Sequence, residues 1–189
     1  MRIREFVVTA VAACAIGWVG HSAWSDDPPA NRSAAAFDAL AEPGEEHARM
    51  KALVGEWTTH GVLNMGAAPT TMDGTASITM ILGNRYLRQE FRGTFMGSPY
   101  EGHGLIGYDN ASKEFVSVFI DNQRTGFLLG KGIETTPGKV WTFESSFNGP
   151  GGTAMKSKEV LTKVSDKELS YEVFMGGEKP IWSHKYTKK

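Results

Sequence analysis

From residue 55 onward, apolar and polar positions alternate in short runs, and Gly, Pro, Asn and Asp interrupt the alternation at regular intervals. A period of two places successive side chains on opposite faces of a sheet, so these runs read as strands. They lie near 55–65, 70–81, 85–97, 100–108, 114–121, 125–134, 139–147, 154–164, 168–175 and 180–187. Between them stand Asp109-Asn110, Pro137-Gly138, the Asn148 to Gly152 cluster, Ser165-Asp166-Lys167 and Gly176-Gly177, all turn chemistry. About ten strands at a spacing of ~8–12 residues with hairpin-length connections predict an all-β fold, a sandwich or an antiparallel up-and-down barrel. No helical run separates two strands, which excludes a parallel βαβ sheet.

Ahead of the strands the periodicity is helical, from Phe37 to Val54. Pro43-Gly44 breaks it, and Glu45-Glu46 then occupy the first turn of a second helix, where negative charge suits the dipole. His47, Met50 and Val54 share one stripe with Leu53 beside it, so a short helix or helix pair should flank or plug the main body.

Sorting the faces exposes one asymmetry. In the third strand Leu87, Gln89, Phe91 and Phe95 oppose Arg88, Glu90, Arg92 and Thr94, and the charged face should meet water. In the fifth, Phe115, Ser117, Phe119 and Asp121 oppose Val116, Val118 and Ile120. Both of its faces are largely apolar, as in a strand covered on both sides or lining a cavity.

Residues 1–25 carry Arg2 and Arg4, an uncharged apolar run from Phe6 to Gly20, and small residues at Ala23 and Ser25, the pattern of a signal peptide. Removal would leave a tether and helical lead-in over 26–44 and a barrel domain over 45–189. The expected location is periplasmic or secreted. Val11-Ala12-Ala13-Cys14 also looks like a lipobox, which would anchor the chain to a membrane through Cys14. The apolar run continues past the cysteine, which favours plain cleavage. The chain's 189 residues have a net charge of -1 and one Cys, which exclude a nucleic-acid footprint, a disulfide framework and a multi-cysteine zinc site.

Gly102-His103-Gly104-Leu105-Ile106-Gly107 matches a dinucleotide string, but it leads into Tyr108-Asp109-Asn110 and a further strand. A phosphate loop needs a following helix. Alternating glycines on a strand mark instead a bend, or a wall that something approaches closely. His47, His60, His103 and His184 show no metal-ligand spacing, and no metal site is expected.

Gly55-Glu56-Trp57, at the junction of a short helix with the first strand, is how lipocalin-type barrels begin, the ring closing one barrel end. From Glu45 to Tyr186 the chain resembles the bacterial DUF1579 family. The resemblance rests on Leu53-Val54-Gly55-Glu56-Trp57, the stretch Ile81 to Glu90, Gly93, Met96-Gly97, Pro99 to Gly102, Gly104, Gly107 to Asn110, and Phe119 to Asn122. It implies a lipocalin- or calycin-like β-barrel, related to fatty-acid-binding proteins and to haem-binding nitrobindins, with no established activity. The nitrobindin relation would ask for a last-strand histidine as axial haem ligand. His184, between Trp182 and Tyr186, stands there; otherwise no cofactor is expected.

The site is expected in the barrel cavity. Tyr86, Gln89, Glu101, His103, Phe119 and Asp121 are the candidate ligand-binding residues, chosen because polar groups sharing a strand face with aromatics are those most apt to point inward. The expected function is non-enzymatic binding of a small lipophilic or aromatic molecule, with no catalytic residues. The alternative is a cavity enzyme using Glu101, His103 or Asp121 as acid and base. Expected partners are that small molecule and a second copy of the chain, with a membrane only if Cys14 is lipidated.

Overall fold

A computed structural model describes residues 34–189. The leader, Cys14 and the tether up to residue 33 lie outside them. Two short helices come first, α1 (Ala34–Ala41) and α2 (Glu45–Met50), and a 3-10 turn (Lys51–Leu53) follows. Helix thus begins three residues before Phe37, inside the span read as tether. Ten strands succeed it: β1 (Gly55–Leu63), β2 (Thr70–Ile81), β3 (Tyr86–Phe95), β4 (Ser98–Asp109), β5 (Glu114–Asp121), β6 (Leu128–Thr136), β7 (Val140–Asn148), β8 (Ala154–Ser165), β9 (Glu168–Phe174) and β10 (Trp182–Lys188). Each pairs antiparallel with its sequence neighbours, and β1 pairs with β10, Trp57 opposite Lys188 and Leu63 opposite Trp182. The sheet therefore closes on itself as an up-and-down barrel without free edges.

The two barrel ends differ. At one end the connections are the tight turns 82–85, 110–113, 137–139 and 166–167. α2 and the 3-10 turn cover this end, pushing Met50 and Leu53 inward until both are fully buried. Val54, expected on that stripe, yields its place to Leu53 and is only half-buried. The plug is held by polar contacts as well. Arg49 Nε donates to Glu134 Oε2 at 2.7 Å, and Asn110 Nδ2 donates to the carbonyls of Leu40 and Glu42 at 2.9 and 2.8 Å. His47 Nδ1 accepts the Gly44 N–H at 3.0 Å, and its ring meets Tyr108 edge-on. Burial lowers the His47 pKa, as suits an accepting, neutral imidazole.

Trp57 sits just inside this end, fully buried, with the Lys188 ammonium 5.2 Å from its ring centre, so the ring does close the barrel. Leu87, Phe115, Trp141, Phe143 and Leu169 pack around it, none more than 2% exposed. At the other end the longer connections 64–69, 122–127, 149–153 and 175–181 leave a mouth. Only the Met96-Gly97 turn is tight there, with φ of 51° and 80°, a left-handed pair that suits a two-residue hairpin.

Candidate functional site

Strand periodicity fixes which side chains enter the barrel. On β3 the charged set Arg88, Glu90 and Arg92 faces outward, as expected, and Leu87, Gln89 and Phe91 face inward. On β4 the inward set is Tyr100, Gly102, Gly104 and Ile106. Here the six candidate residues divide. Gln89, Phe119 and Asp121 are inside, whereas Tyr86, Glu101 and His103 are on the outer surface. Tyr86 is 42% exposed and lies across Gly107 from outside, where a Cβ would strike its ring. Glu101 and His103 are about half exposed in an outer cluster, where Glu101 Oε1 pairs with Arg92 at 3.3 Å and lies 3.6 Å from His103 Nε2. They share a face with Leu105, as the pattern indicated, but that face meets solvent. The barrel wall stands between them and Asp121, so the acid–base trio is not assembled.

The glycines of β4 explain the reversal. A Cβ at Gly102 would come within 2.5 Å of the Phe119 ring, and one at Gly104 within 3.3 Å. Phe119 lies against the bare backbone of its neighbour, so β4's inner face is apolar without carrying apolar residues at those positions. On β5 the inner face lines the lumen, while the outer Val116 and Ile120 are exposed beside Leu105 and Leu129. Among the described residues nothing covers that outer face, so of the two expectations, cover on both sides or one face lining the interior, the first does not hold.

Inside, polar groups gather above the packed end. Gln89 Nε2 donates to Tyr186 Oη at 3.1 Å, a bond reaching from β3 to β10 across the interior. Burial pushes the Tyr186 hydroxyl up to about 12. Nearer the mouth, the Asp121 side chain is fully buried, its Oδ2 taking the Tyr100 hydroxyl at 3.2 Å and Arg124 Nε at 3.1 Å. Burial and that carboxylate together raise the Tyr100 pKa.

Glu159 on β8 is a second buried carboxyl, which the sequence reading passed over. It is 4% exposed, sits in register between Phe143 and Val173, and has Ser157 Oγ 3.4 Å from Oε1. Burial raises its pKa, while the Tyr171, Ser145 and Ser157 hydroxyls pull it back toward ionisation. Desolvation also raises the Tyr171 hydroxyl well above its ordinary value. Ser145 Oγ falls short of a well-formed hydrogen bond, and Thr59 Oγ1 and His184 Nε2 are equally without partners.

His184 is 6% exposed and ringed by Phe91, Trp182 and Tyr186, with centroids 5.6, 5.4 and 6.0 Å away. Burial lowers its pKa to about 4, so it is neutral at ordinary pH. An unpartnered nitrogen on a neutral imidazole is what haem ligation would need. Nε2, however, is aimed at Gly61, where any Cβ would collide with it. The aromatic rings close on the remainder of the side chain, and this placement does not fit an axial ligand.

Accessible surface is spread along the interior, from Ile106 beside Leu87 and Leu161 beside Trp141 to Trp182 near the mouth, where Met72 and Tyr100 are nonetheless buried. Ile106, Ser117, Phe119, Leu161, Tyr171, Val173 and Trp182 all face inward yet are only half-buried. A wall residue pointing into a closed barrel keeps accessible surface only where the interior is not filled. Beside the mouth, β8 runs on past the end of β9, and Gly176-Gly177 swing away from it. The gap is a notch of about 290 Å³ lined by Ser157 together with the outward-facing Glu144, Lys156 and Lys158 and by Phe174.

Comparisons with known proteins agree on the fold. Among curated proteins none matches the chain. Of solved structures, Rv2717c from M. tuberculosis is similar with a TM-score of 0.57 at 15% identity, covering 78% of this chain and 99% of that one. The S-type phycobiliprotein lyase CPES from Guillardia theta is similar with a TM-score of 0.53 at 9% identity, covering 78% and 98%. Likeness at such identities concerns the barrel alone. The family model described as a protein of unknown function, DUF1579, matches residues 42–188, which takes in all ten strands and α2, and the chain belongs to that family.

Proposed function

We propose that this protein is an exported, non-enzymatic carrier or receptor that holds a small lipophilic or aromatic molecule in the mouth-side half of its barrel. One observation carries the reading. Aromatic rings and buried polar groups face a part of the interior that they do not fill, and several of those groups lack partners. A barrel built only as scaffold gains nothing from a buried carboxyl without a counter-charge and from unpartnered hydroxyls on its inner wall, since each costs free energy. A guest with matching groups removes that cost, and the half-buried rings of Phe119, Tyr171 and Trp182 supply it with apolar surface. Export follows the reading of residues 1–25 and places the protein in the periplasm or outside the cell.

Native mass spectrometry of the full chain purified from its own host tests the binding, with an absorption spectrum taken alongside. An added mass released on unfolding, without a Soret band, is the expected result. A bare chain that also fails to enhance the fluorescence of N-phenyl-1-naphthylamine would overturn it.

A further inference from the structure

Resting on that binding reading, the charges that face the lumen narrow the chemistry of the guest. Two carboxyls point inward, and they differ. Asp121 is fully engaged: Arg124 and Tyr100 hold Oδ2, and the Gln123 N–H donates to Oδ1 at 2.9 Å. Arg124 is engaged as well, its guanidinium 5.5 Å from the centre of the Phe147 ring. Glu159 has only hydroxyls around it. Among the described residues no cation reaches it. Lys156 and Lys158 alternate with it on the outer face of β8, with Lys158 over the Phe174 ring at 5.0 Å. Lys163 and Lys188 belong to the closed end, where they bond to Asp166 and to the Val54 carbonyl. The lumen therefore holds one carboxyl without a counter-charge and no cation free to pair with a guest, His184 being neutral.

That imbalance discriminates between guests. A carboxylate entering the lumen would be desolvated beside another acid and would find no cation. An ammonium would supply the partner Glu159 lacks, in surroundings where the attraction is little screened. The half-buried Phe95 and Trp182, stacked on one another, offer ring faces that tolerate both a positive charge and an apolar body. We propose that the lumen binds apolar amines, an ammonium on an aromatic or aliphatic body, with Glu159 as counter-ion, and discriminates against carboxylates of the same size.

Three probes of one shape test this on the full chain: 1-naphthylmethylamine, 1-naphthalenemethanol and 1-naphthoate, titrated by calorimetry. The amine should bind about tenfold more tightly than the alcohol, and the acid more weakly than either. Glu159→Gln should bring the amine-to-alcohol ratio close to one while keeping the alcohol's affinity. Should that variant not fold, Glu159→Leu makes the same point, because an apolar side chain of similar size also removes the counter-ion. Equal binding of amine and alcohol, tightest binding of the acid, or a preference that survives Glu159→Gln or Glu159→Leu would overturn the proposal with the binding reading intact. Failure of all three probes and of N-phenyl-1-naphthylamine would overturn both.

Discussion

The two halves of the barrel interior are walled by the same ten strands, yet they obey different rules. At the helix-covered end, Trp57, Leu87, Phe115, Trp141 and Leu169 are sealed, and Met50 and Leu53 of the plug complete the packing. Toward the mouth, inward-facing Phe119, Tyr171, Val173 and Trp182 keep accessible surface, and Asp121, Glu159, Ser145, Ser157 and His184 join them on the wall. One half maximises buried apolar area, which is what stabilises a fold. The other concentrates these buried polar side chains, although the sealed end too holds unpartnered donors at Trp57 and Trp141 Nε1. On the proposed function, the scaffold belongs to one end and the site to the other.

The largest effect should come from large-to-small changes that test this division. Trp141→Ala at the sealed end should cost about 3–5 kcal/mol, measured by denaturant unfolding, because it removes a fully buried indole and leaves a cavity. Trp182→Ala should cost clearly less. That ring is half-buried and stacks on Phe95 with centroids 5.8 Å apart. The order should reverse for affinity toward N-phenyl-1-naphthylamine, with Trp182→Ala losing binding and any folded fraction of Trp141→Ala keeping it. Equal stability losses at the two sites would show that the mouth half is packed like the rest.

The same division decided what was legible in the sequence. Strand positions could be read because every strand has one face on the interior, so alternation is present from end to end. Both helices around Pro43-Gly44 and the closing role of Trp57 were legible for similar local reasons. The inward face was legible only where it carries the apolar residues, as on β3. On β4 the inner positions 102 and 104 are glycines covered by Phe119, while Leu105 stands outside with Glu101 and His103, so the strand reads inside out. β8 misleads in the same way. Ser157 and Glu159 face the lumen, and Val160 and Val164 lie on the opposite face. Glu159 was therefore invisible to periodicity, and what identifies it is its register between Phe143 and Val173.

Acid should strain the mouth half selectively through His184. Unfolded, this histidine takes a proton near 6.5; folded, burial holds its pKa at about 4, with His60 behind the wall adding to the effect. The unfolded state therefore binds more protons between these values. The stability contributed by the neutral ring is complete above pH 6.5 and is lost progressively as pH falls to about 4, a span of about 3 kcal/mol. His184→Phe should flatten that part of the stability-versus-pH curve. An unchanged slope would assign the acid sensitivity to other groups.

Glu159 should show the opposite sign at neutral pH. Its folded pKa is raised by burial, so its contribution is favourable below the unfolded value and is lost as pH rises through the folded one. Glu159→Gln should therefore raise the melting temperature at pH 7 by a few degrees in the guest-free protein, the mark of a residue kept at a cost in stability. A lowered melting temperature would instead make the carboxyl part of the scaffold, and the contrast between the halves would lose its clearest member.

The smallest effect lies on the boundary, where Gln89 reaches across the barrel to Tyr186. Tyr186→Phe leaves the glutamine amide without that acceptor and should cost about 1 kcal/mol in urea unfolding. Gln89→Met alone removes the donor from a buried hydroxyl and should cost a similar amount. Together the two changes should cost less than their sum, because an apolar pair of nearly the same volume leaves neither group orphaned. Guest affinity then shows which half owns the bridge. If it is the floor of the lumen, the double variant should bind N-phenyl-1-naphthylamine more tightly, since the floor has become less polar; if it belongs to the sealed core, affinity should not move while stability does.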